Sequence, residues 1–308
     1  MAFSDWYADA KEHVREDGWS GAKEAAYEFY IGMFRQSGRV WNYGTPIYEH
    51  DWDVFVVLDA CRADLMAEVA DEYDFVDTTT TYSVGSSSGE WIQKNFVWGG
   101  DDEEVARTDY VTANPYSDRH LDAGDFGLLD EVWRYAFDEE VRTIPADSVT
   151  DRAITVHRER DPEYMVVHYM QPHHPFVENP LDEGLPLRQF GNTPWDDVWD
   201  KLRKGRVDRD EVWTGYRNNL RYVLDSVETL LESIDAERVL ISADHANLLG
   251  EFGLYAHPSY VPIPALKRVP LCETTASDTG EYEPADVKER AEESASVEEK
   301  LQHLGYKT

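Results

Sequence analysis

The chain has 308 residues, of which 42% are hydrophobic and 13% aromatic, so it can build a substantial core. It carries 62 acidic and 29 basic residues, which gives a formal net charge of -33. Nucleic acid is disfavoured as a general partner, because phosphate backbones are bound through Lys and Arg. No apolar run approaches the roughly 20 residues of a membrane span.

The acidity is typical of a solvated surface. Only 9 of the basic residues are Lys. An acid-rich, lysine-poor sequence predicts a protein from a salt-loving microbe, since in about 1 M salt the Debye length is only about 3 Å and self-repulsion is screened. The polar opening of the chain does not resemble a signal peptide, so we expect a cytoplasmic location. The two cysteines predict no disulfide framework.

Residues 1–50 are predicted to be helical, because apolar residues such as Ala22, Ala26 and Phe29 recur at helical spacing. A helix lying on a membrane surface is an alternative. Its mixed to acidic charge instead favours packing of this helix on the core.

The core begins with a run of five apolar residues, 54–58, that ends at Asp59. This pattern predicts a buried strand followed by a helix over 62–70. Burying Asp59 without a partner would cost several kcal/mol. The residue is therefore either a metal ligand or the N-cap of the following helix.

A loop of small residues, 83–89, follows a β-like stretch and opens another helix. Ser86, Ser87 and Ser88 lie in this loop. One of these hydroxyls could be a nucleophile ionised by a metal ion, or the loop could simply cap the helix. A strand is predicted over 107–113.

The second half of the chain continues to alternate helices and strands. A helix is predicted over 147–160, a strand over 164–170 and a loop-rich lid over 177–210. A long helix over 212–234 precedes the strand 238–243. Alternation of this kind predicts an α/β fold: a mostly parallel central sheet with helices on both faces.

Polar side chains follow two of the predicted buried strands. Asp59 follows the first, and Asp244 and His245 follow the last. In an open α/β sheet, ligands bind at the carboxyl ends of the strands. Carboxylate and imidazole ligands suit Zn²⁺ or Mn²⁺, although a helix cap and a hydrogen-bonded histidine would also explain the pair 244–245.

Two His-Pro turns are further candidates for the site. His173, with His174 and Pro175, closes the 164–170 strand, and His257 precedes Pro258. These imidazoles could complete a metal shell or donate hydrogen bonds to a phosphoryl oxygen.

Three segments are predicted. Residues 1–50 form an N-terminal helical extension, and residues 51–272 form the catalytic domain. Residues 273–308 form an acidic tail, disordered in part, with a short closing helix over 297–306 that stops at Gly305.

The order of these motifs resembles the alkaline phosphatase superfamily, especially its sulfatase-like branch. An early Asp is followed by a serine loop, a Pro-His-x-Pro-aromatic turn and a late Asp-His with a Gly-Glu-x-Gly segment and a His-Pro. The resemblance covers about residues 52–271. It implies that Asp59, Asp244 and His245 bind a metal ion together with the nucleophile.

The resemblance also implies roles for the loop residues. It selects Ser87 as the nucleophile and metal-bound hydroxyl, with Ser86 and Ser88 as alternatives. His173 and His257 would contact the transferred group or a second metal ion.

The sequence departs from the family pattern at three places. The serine loop lacks the Pro or Ala and the Arg of the C/S-x-P/A-x-R motif of sulfatases, which favours phosphate over sulfate esters. Ala60 follows Asp59 where many relatives have a second acid. Asn247 stands where Asp-His-Gly-Glu would supply an acid. The shell is thus predicted to hold one divalent ion (Zn, Mn, Mg or Ca) rather than two.

The sequence therefore predicts a metal-dependent hydrolase or transferase that acts on phosphate esters through a serine nucleophile. The alternatives are a sulfatase that uses unmodified serine and a degenerate member that binds without catalysis. By family analogy the substrate is a small molecule, a glycan or a lipid headgroup. The sequence leaves the oligomeric state open.

Overall fold

The structure is a computed structural model that describes residues 11, 15, 18–41, 43–181 and 197–287. The predicted closing helix over 297–306 and residues 182–196 of the predicted lid lie outside these residues. None of the described helices is both long enough and apolar enough to cross a membrane.

Nine α-helices can be followed among the described residues. They are α1 (Trp19–Val40), α2 (Ala63–Val69), α3 (Ser88–Ile92), α4 (Asp102–Ala106), α5 (Ser117–His120), α6 (Ala146–Arg160), α7 (Val198–Arg203), α8 (Arg209–Leu231) and α9 (Pro264–Lys267). A π-helical turn, Gln93–Val97, extends α3. Single 3-10 turns lie at Ile47–Glu49, Ala70–Glu72, Ala123–Asp125, Val132–Arg134 and Glu251–Gly253.

Ten strands lie in the described ranges. They are β1 (Val54–Leu58), β2 (Thr80–Tyr82), β3 (Thr108–Thr112), β4 (Leu128–Glu131), β5 (Tyr164–Tyr169), β6 (Ala236–Ser242), β7 (Leu248–Leu249), β8 (Tyr255–Ala256), β9 (Arg268–Pro270) and β10 (Cys272–Ala276). Six form the central sheet in the order β10-β6-β1-β5-β3-β4. All neighbours are parallel except β10, which runs antiparallel to β6. Two small antiparallel pairs, β2-β9 and β7-β8, stand beside it.

The strand β1 is apolar and buried throughout, because both faces of the sheet are covered at its centre. In β1, Val54, Val56 and Leu58 join a core with α2, α6 and α8. Phe55 and Val57 point to the opposite face, where they join α3 and α4. The predicted α/β class, with a mostly parallel sheet and helices on both faces, is confirmed.

Helix α1 packs on a third, smaller core. Its Tyr27, Ile31 and Phe34 contact a cluster that includes Leu254 and Val261. The prediction that this helix packs on the core is therefore correct for one side of the helix, whereas the other side is exposed.

Two predicted segments contain regular elements. The described part of the loop-rich segment 177–210 includes α7 and the first two residues of α8, and both helices have aspartate N-caps. The predicted acidic tail begins inside the sheet, because β10 crosses the boundary at residue 272. Glu273 is exposed on this edge strand, so its charge did not prevent strand formation.

Candidate metal centre

Three adjacent strands bring the candidate ligands to one edge of the sheet. Asp59 directly follows β1, and Asp244 and His245 follow β6. His168 lies in β5, in register with Val57 of β1. Because β6, β1 and β5 are parallel neighbours, their carboxyl ends meet. Ligand atoms of Asp59, His168 and Asp244 all lie within 4.8 Å of one another.

Each carboxylate uses one oxygen for structure and leaves the other free. Asp59 Oδ2 accepts a hydrogen bond of 2.8 Å from Asn114 Nδ2. Asp244 Oδ1 accepts bonds of 2.9 Å from the backbone amides of Ala60 and His245. The second oxygens, Asp59 Oδ1 and Asp244 Oδ2, are buried without a hydrogen-bond partner. Buried polar atoms normally have partners, so these two oxygens are suited to bind a cation.

The two imidazoles complete the same cluster. His245 Nδ1 donates to the carbonyl of Ala246 at 2.9 Å, which leaves Nε2 as the ring nitrogen that faces the cluster. That Nε2 lies 3.4 Å from Asp244 Oδ2 and 3.7 Å from Asp59 Oδ1. His168 Nε2 lies 3.8 Å from Asp244 Oδ2 and also has no hydrogen-bond partner. In a tetrahedral Zn²⁺ site the ligand atoms lie about 2.0–2.2 Å from the ion and therefore roughly 3.3–3.6 Å from one another. The separations in this cluster are similar.

The charges of the cluster require a counter-ion. Burial and the neighbouring Asp244 raise the pKa of Asp59 well above its usual value. Burial lowers the pKa of His168 to about 4, so this imidazole is neutral at pH 7. Two carboxylates and two imidazoles form a donor set that suits Zn²⁺ or Mn²⁺. The residues present therefore fit a divalent metal ion.

Ser88, rather than Ser87, contacts this cluster. Ser88 Oγ lies 3.4 Å from Asp59 Oδ2 and 3.3 Å from His245 Nε2. Ser87 is the N-cap of α3, so its side chain turns back to accept from Glu90 N, and its Oγ lies 2.8 Å from Ser259 Oγ. The residue one step into the helix faces the sheet edge. The structure thus places one of the alternative serines, not the preferred Ser87, at the candidate ligands.

Glu90 holds the serine loop in place. Its Oε2 accepts from the amide of Ser86 at 3.0 Å, from the Ser86 hydroxyl at 2.8 Å and from the amide of Tyr260 at 2.8 Å. Its other oxygen forms an ion pair with Lys94. Burial alone would raise the pKa of Glu90, but Lys94 and these donors hold it below its usual value. Ser86 is thereby committed to structure.

The two predicted loop histidines meet beside the cluster. His173 Nε2 lies 3.1 Å from His257 Nε2. The ring of His257 stacks on that of His245, with centroids 4.5 Å apart. Burial, followed by the neighbouring histidines, lowers the pKa of both groups well below the usual value. Both are thus neutral imidazoles at the edge of the candidate metal site.

Three residues of the site were missed by sequence reasoning. His168 is a histidine inside an otherwise apolar strand, and Asn114 directly follows β3. Tyr110, in β3, contacts His168 Nδ1 through its hydroxyl at 2.7 Å. The available signal was a polar residue at or near the end of a buried strand, the same signal that identified Asp59.

Comparison with protein-family models gives no match, and comparison with curated proteins gives none. Among solved structures, the chain is similar to the integral membrane protein lipooligosaccharide phosphoethanolamine transferase A from Neisseria meningitidis. The TM-score is 0.50 at 15% identity, over 97% of this chain and 65% of that protein. The chain therefore spans less than two thirds of that protein's length.

Two further similarities are weaker. The C-terminal periplasmic domain of EptC from Escherichia coli, in complex with Zn, matches with a TM-score of 0.48 and 13% identity, over 85% of this chain and 83% of that one. BT1596, a 2-O GAG sulfatase, matches with a TM-score of 0.43 and 10% identity, over 72% and 63%. The similarity to the phosphoethanolamine transferase from Neisseria meningitidis, with its TM-score of 0.50, shows that this chain shares an α/β fold with that protein.

Proposed function

We propose that this protein is a metal-dependent enzyme that transfers a phosphoryl-type group from a phosphate ester through Ser88 to water or to an acceptor hydroxyl. One observation carries the proposal. The Ser88 hydroxyl lies beside Asp59 and His245 at a buried cluster whose free carboxylate oxygens have no partner.

Asp59, Asp244 and His245, with His168, would hold one divalent ion. When bound, the ion would act as a Lewis acid and lower the pKa of the serine hydroxyl. The chain itself fixes the geometry, since Asn114 and the amides of Ala60 and His245 hold the carboxylates in place.

The reaction at Ser88 is a displacement at phosphorus. Ser88 gives its hydroxyl proton to water, and its oxygen attacks phosphorus in line while the bond from phosphorus to the leaving oxygen breaks. A seryl ester forms and is then cleaved by water or another hydroxyl in the same manner. His173 and His257 lie at this edge as neutral imidazoles. His257 could donate a hydrogen bond to the transferred group, and His173, whose Nδ1 donates to the carbonyl of His174 at 2.6 Å, could hold a proton for the leaving oxygen on Nε2.

Two considerations favour a phosphate ester over a sulfate ester. With Ser88 in the first position, the C/S-x-P/A-x-R motif would need Pro or Ala at Glu90 and Arg at Ile92. Glu90 is already committed to holding the loop. A lipid headgroup or a glycan is the substrate class we propose, in keeping with the phosphoethanolamine transferase and the glycan sulfatase among the structural neighbours.

The test is to assay aryl phosphate, phosphodiester and sulfate substrates with Zn²⁺, Mn²⁺ and Mg²⁺ for three proteins: wild type, Ser88→Ala and Ser87→Ala. We expect Ser88→Ala to lose roughly 10³-fold or more in kcat, as expected for a missing nucleophile. Ser87→Ala should keep turnover and lose about 1 kcal/mol of stability, because it removes only a helix cap. Unchanged turnover in Ser88→Ala would refute the mechanism. If only Ser87→Ala loses turnover, the nucleophile is Ser87, as the sequence predicted.

A further inference from the structure

Two long stretches of this acidic chain contain no acidic residue. The chain has 62 Asp and Glu among 308 residues, yet residues 29–48 and residues 252–272 carry none. The first run includes Arg35 and Arg39, and the second includes Lys267 and Arg268. Each run is therefore neutral to basic within a molecule of net charge -33.

The two runs pack against each other and form one surface. The hydroxyl of Tyr30 donates to the carbonyl of Phe252 at 3.1 Å. The guanidinium of Arg39 lies 5.3 Å from the ring centre of Tyr260. Two acid-free stretches that are distant in sequence thus lie side by side, bounded in sequence by Glu28 and Glu251.

Large apolar side chains are exposed on this face. Phe29, Met33 and Val40 follow one another at helical spacing on the outer side of α1, and Trp41 follows the helix. We call five of these residues the apolar patch. The solvent-exposed fractions of these residues are 45% for Phe29, 59% for Met33, 89% for Val40, 65% for Trp41 and 67% for Phe252.

Phe252 stands in the patch at a conformational cost. Its φ is 53°, in the left-handed region where Gly or Asn is the inexpensive choice. A bulky residue in this region is strained, and such strain often marks a functional position. Because Phe252 is 67% exposed, packing within the chain explains little of why a large apolar residue stands at this position.

The charges around the patch indicate what kind of surface it binds. Trp and other aromatic residues with a cationic rim are typical of proteins that lie on a lipid surface. Arg39 and Arg268 are both exposed. Arg39 directly precedes Val40, and Arg268 pairs with Tyr82, which reaches Trp41 through the ring of Tyr43. Neither acid-free run supplies a carboxylate to oppose an anionic surface. Acids farther from the contact than the Debye length, about 8 Å at 0.15 M salt and about 3 Å at 1 M, are largely screened from it.

A second copy of the chain fits this surface less well. A twofold contact would bring the same face of both copies together, so Arg39 and Arg268 of each copy would meet runs that supply no acid to neutralise them. We propose that the apolar patch docks the protein on the surface of an anionic phospholipid bilayer. The docked loop carries Phe252 and, a few residues on, His257, so the candidate site lies close to the headgroups.

The experiment is flotation of the full chain with vesicles of phosphatidylglycerol and, separately, of phosphatidylcholine. The salt is the lowest concentration at which circular dichroism shows the native fold. Wild type is expected to float with phosphatidylglycerol and more weakly with phosphatidylcholine. Trp41→Ser and Phe252→Ser should each weaken binding roughly tenfold, as expected for an apolar side chain withdrawn from the bilayer.

Trp98→Ser is the matched control. Trp98 is 61% exposed, close to the 65% of Trp41, but it precedes the acidic run 101–104. It should bind as wild type does. Ser88→Ala should also bind the vesicles as wild type does. The flotation result therefore tests docking alone, whether or not Ser88 is the nucleophile. Docking is overturned if wild type does not float, if Trp98→Ser weakens binding equally, if both lipids bind alike, or if sedimentation shows that Trp41→Ser instead dissociates a dimer.

Discussion

At the scale of the residue, Tyr110 holds the ring of His168 in place. Burial raises the pKa of the Tyr110 phenol, so its hydroxyl stays protonated. When His168 Nδ1–H donates to this oxygen, over 2.7 Å, Nε2 keeps its lone pair and faces Asp244. Partners of this kind orient metal-binding imidazoles.

Replacing Tyr110 by Phe tests that role. Tyr110→Phe should weaken Zn²⁺ binding about 10- to 100-fold, as measured by titration calorimetry, because His168 loses the partner that fixes its ring. Tyr169→Phe is the control, since Tyr169 is equally buried but its hydroxyl contacts Thr150 at 2.7 Å. Equal affinities for wild type and Tyr110→Phe would remove His168 from the ligand set.

The sequence could predict only part of the site, for reasons specific to each residue. Asp59 was recognisable because an acid that ends a buried strand needs a partner. His168 was not, because a histidine within a strand is equally compatible with simple core packing. The choice between Ser87 and Ser88 depends on which residue caps α3. Consecutive helix residues point about 100° apart, so moving the cap by one residue would bring the other serine to the site.

At the scale of the element, the close approach of α1 to the loop that follows His257 depends on Gly38. A Cβ at Gly38 would lie 1.9 Å from the carbonyl oxygen of Tyr260, whereas a Cβ at Gly32 would meet nothing within 4 Å. The same helix therefore provides a matched pair of glycines.

The expected effects of alanine at these glycines are opposite. Gly32→Ala should stabilise the protein by up to about 1 kcal/mol, through helix propensity. Gly38→Ala should destabilise it, because α1 must move away from Tyr260. Urea denaturation of both variants measures the difference. A stabilising Gly38→Ala would mean that α1 does not pack against this loop.

The elements differ in how well their patterns revealed them. The strands β1, β5 and β6 are apolar runs buried on both faces, and they were predicted near their true bounds. The edge strands β4 and β10 were missed because exposed positions dilute the apolar signal: β4 is mostly half-buried, and β10 alternates buried and exposed residues.

At the scale of the whole molecule, the net charge governs how stability responds to salt. Exposed ion pairs such as Arg238 with Asp53 contribute about 0–1 kcal/mol each and weaken in salt. Repulsion within a molecule of net charge -33 opposes folding and is screened in salt. The origin in a salt-loving microbe and the cytoplasmic location both stay predictions.

The balance of these effects predicts that salt stabilises the fold. The melting temperature should rise as KCl increases from about 0.1 M to 2 M, because screening of the net charge outweighs the weakened ion pairs. Thermal scans by circular dichroism measure this rise. A melting temperature that is flat or falls with salt would contradict the predicted adaptation.

The central claim is that one divalent ion joins the carboxyl ends of β1 and β6. Anomalous diffraction at the zinc edge, from crystals grown with Zn²⁺, tests it most directly. We predict a single strong peak within about 2.2 Å of side-chain atoms of Asp59, Asp244 and His245. A peak elsewhere, or no peak while these three side chains keep their positions, would contradict it.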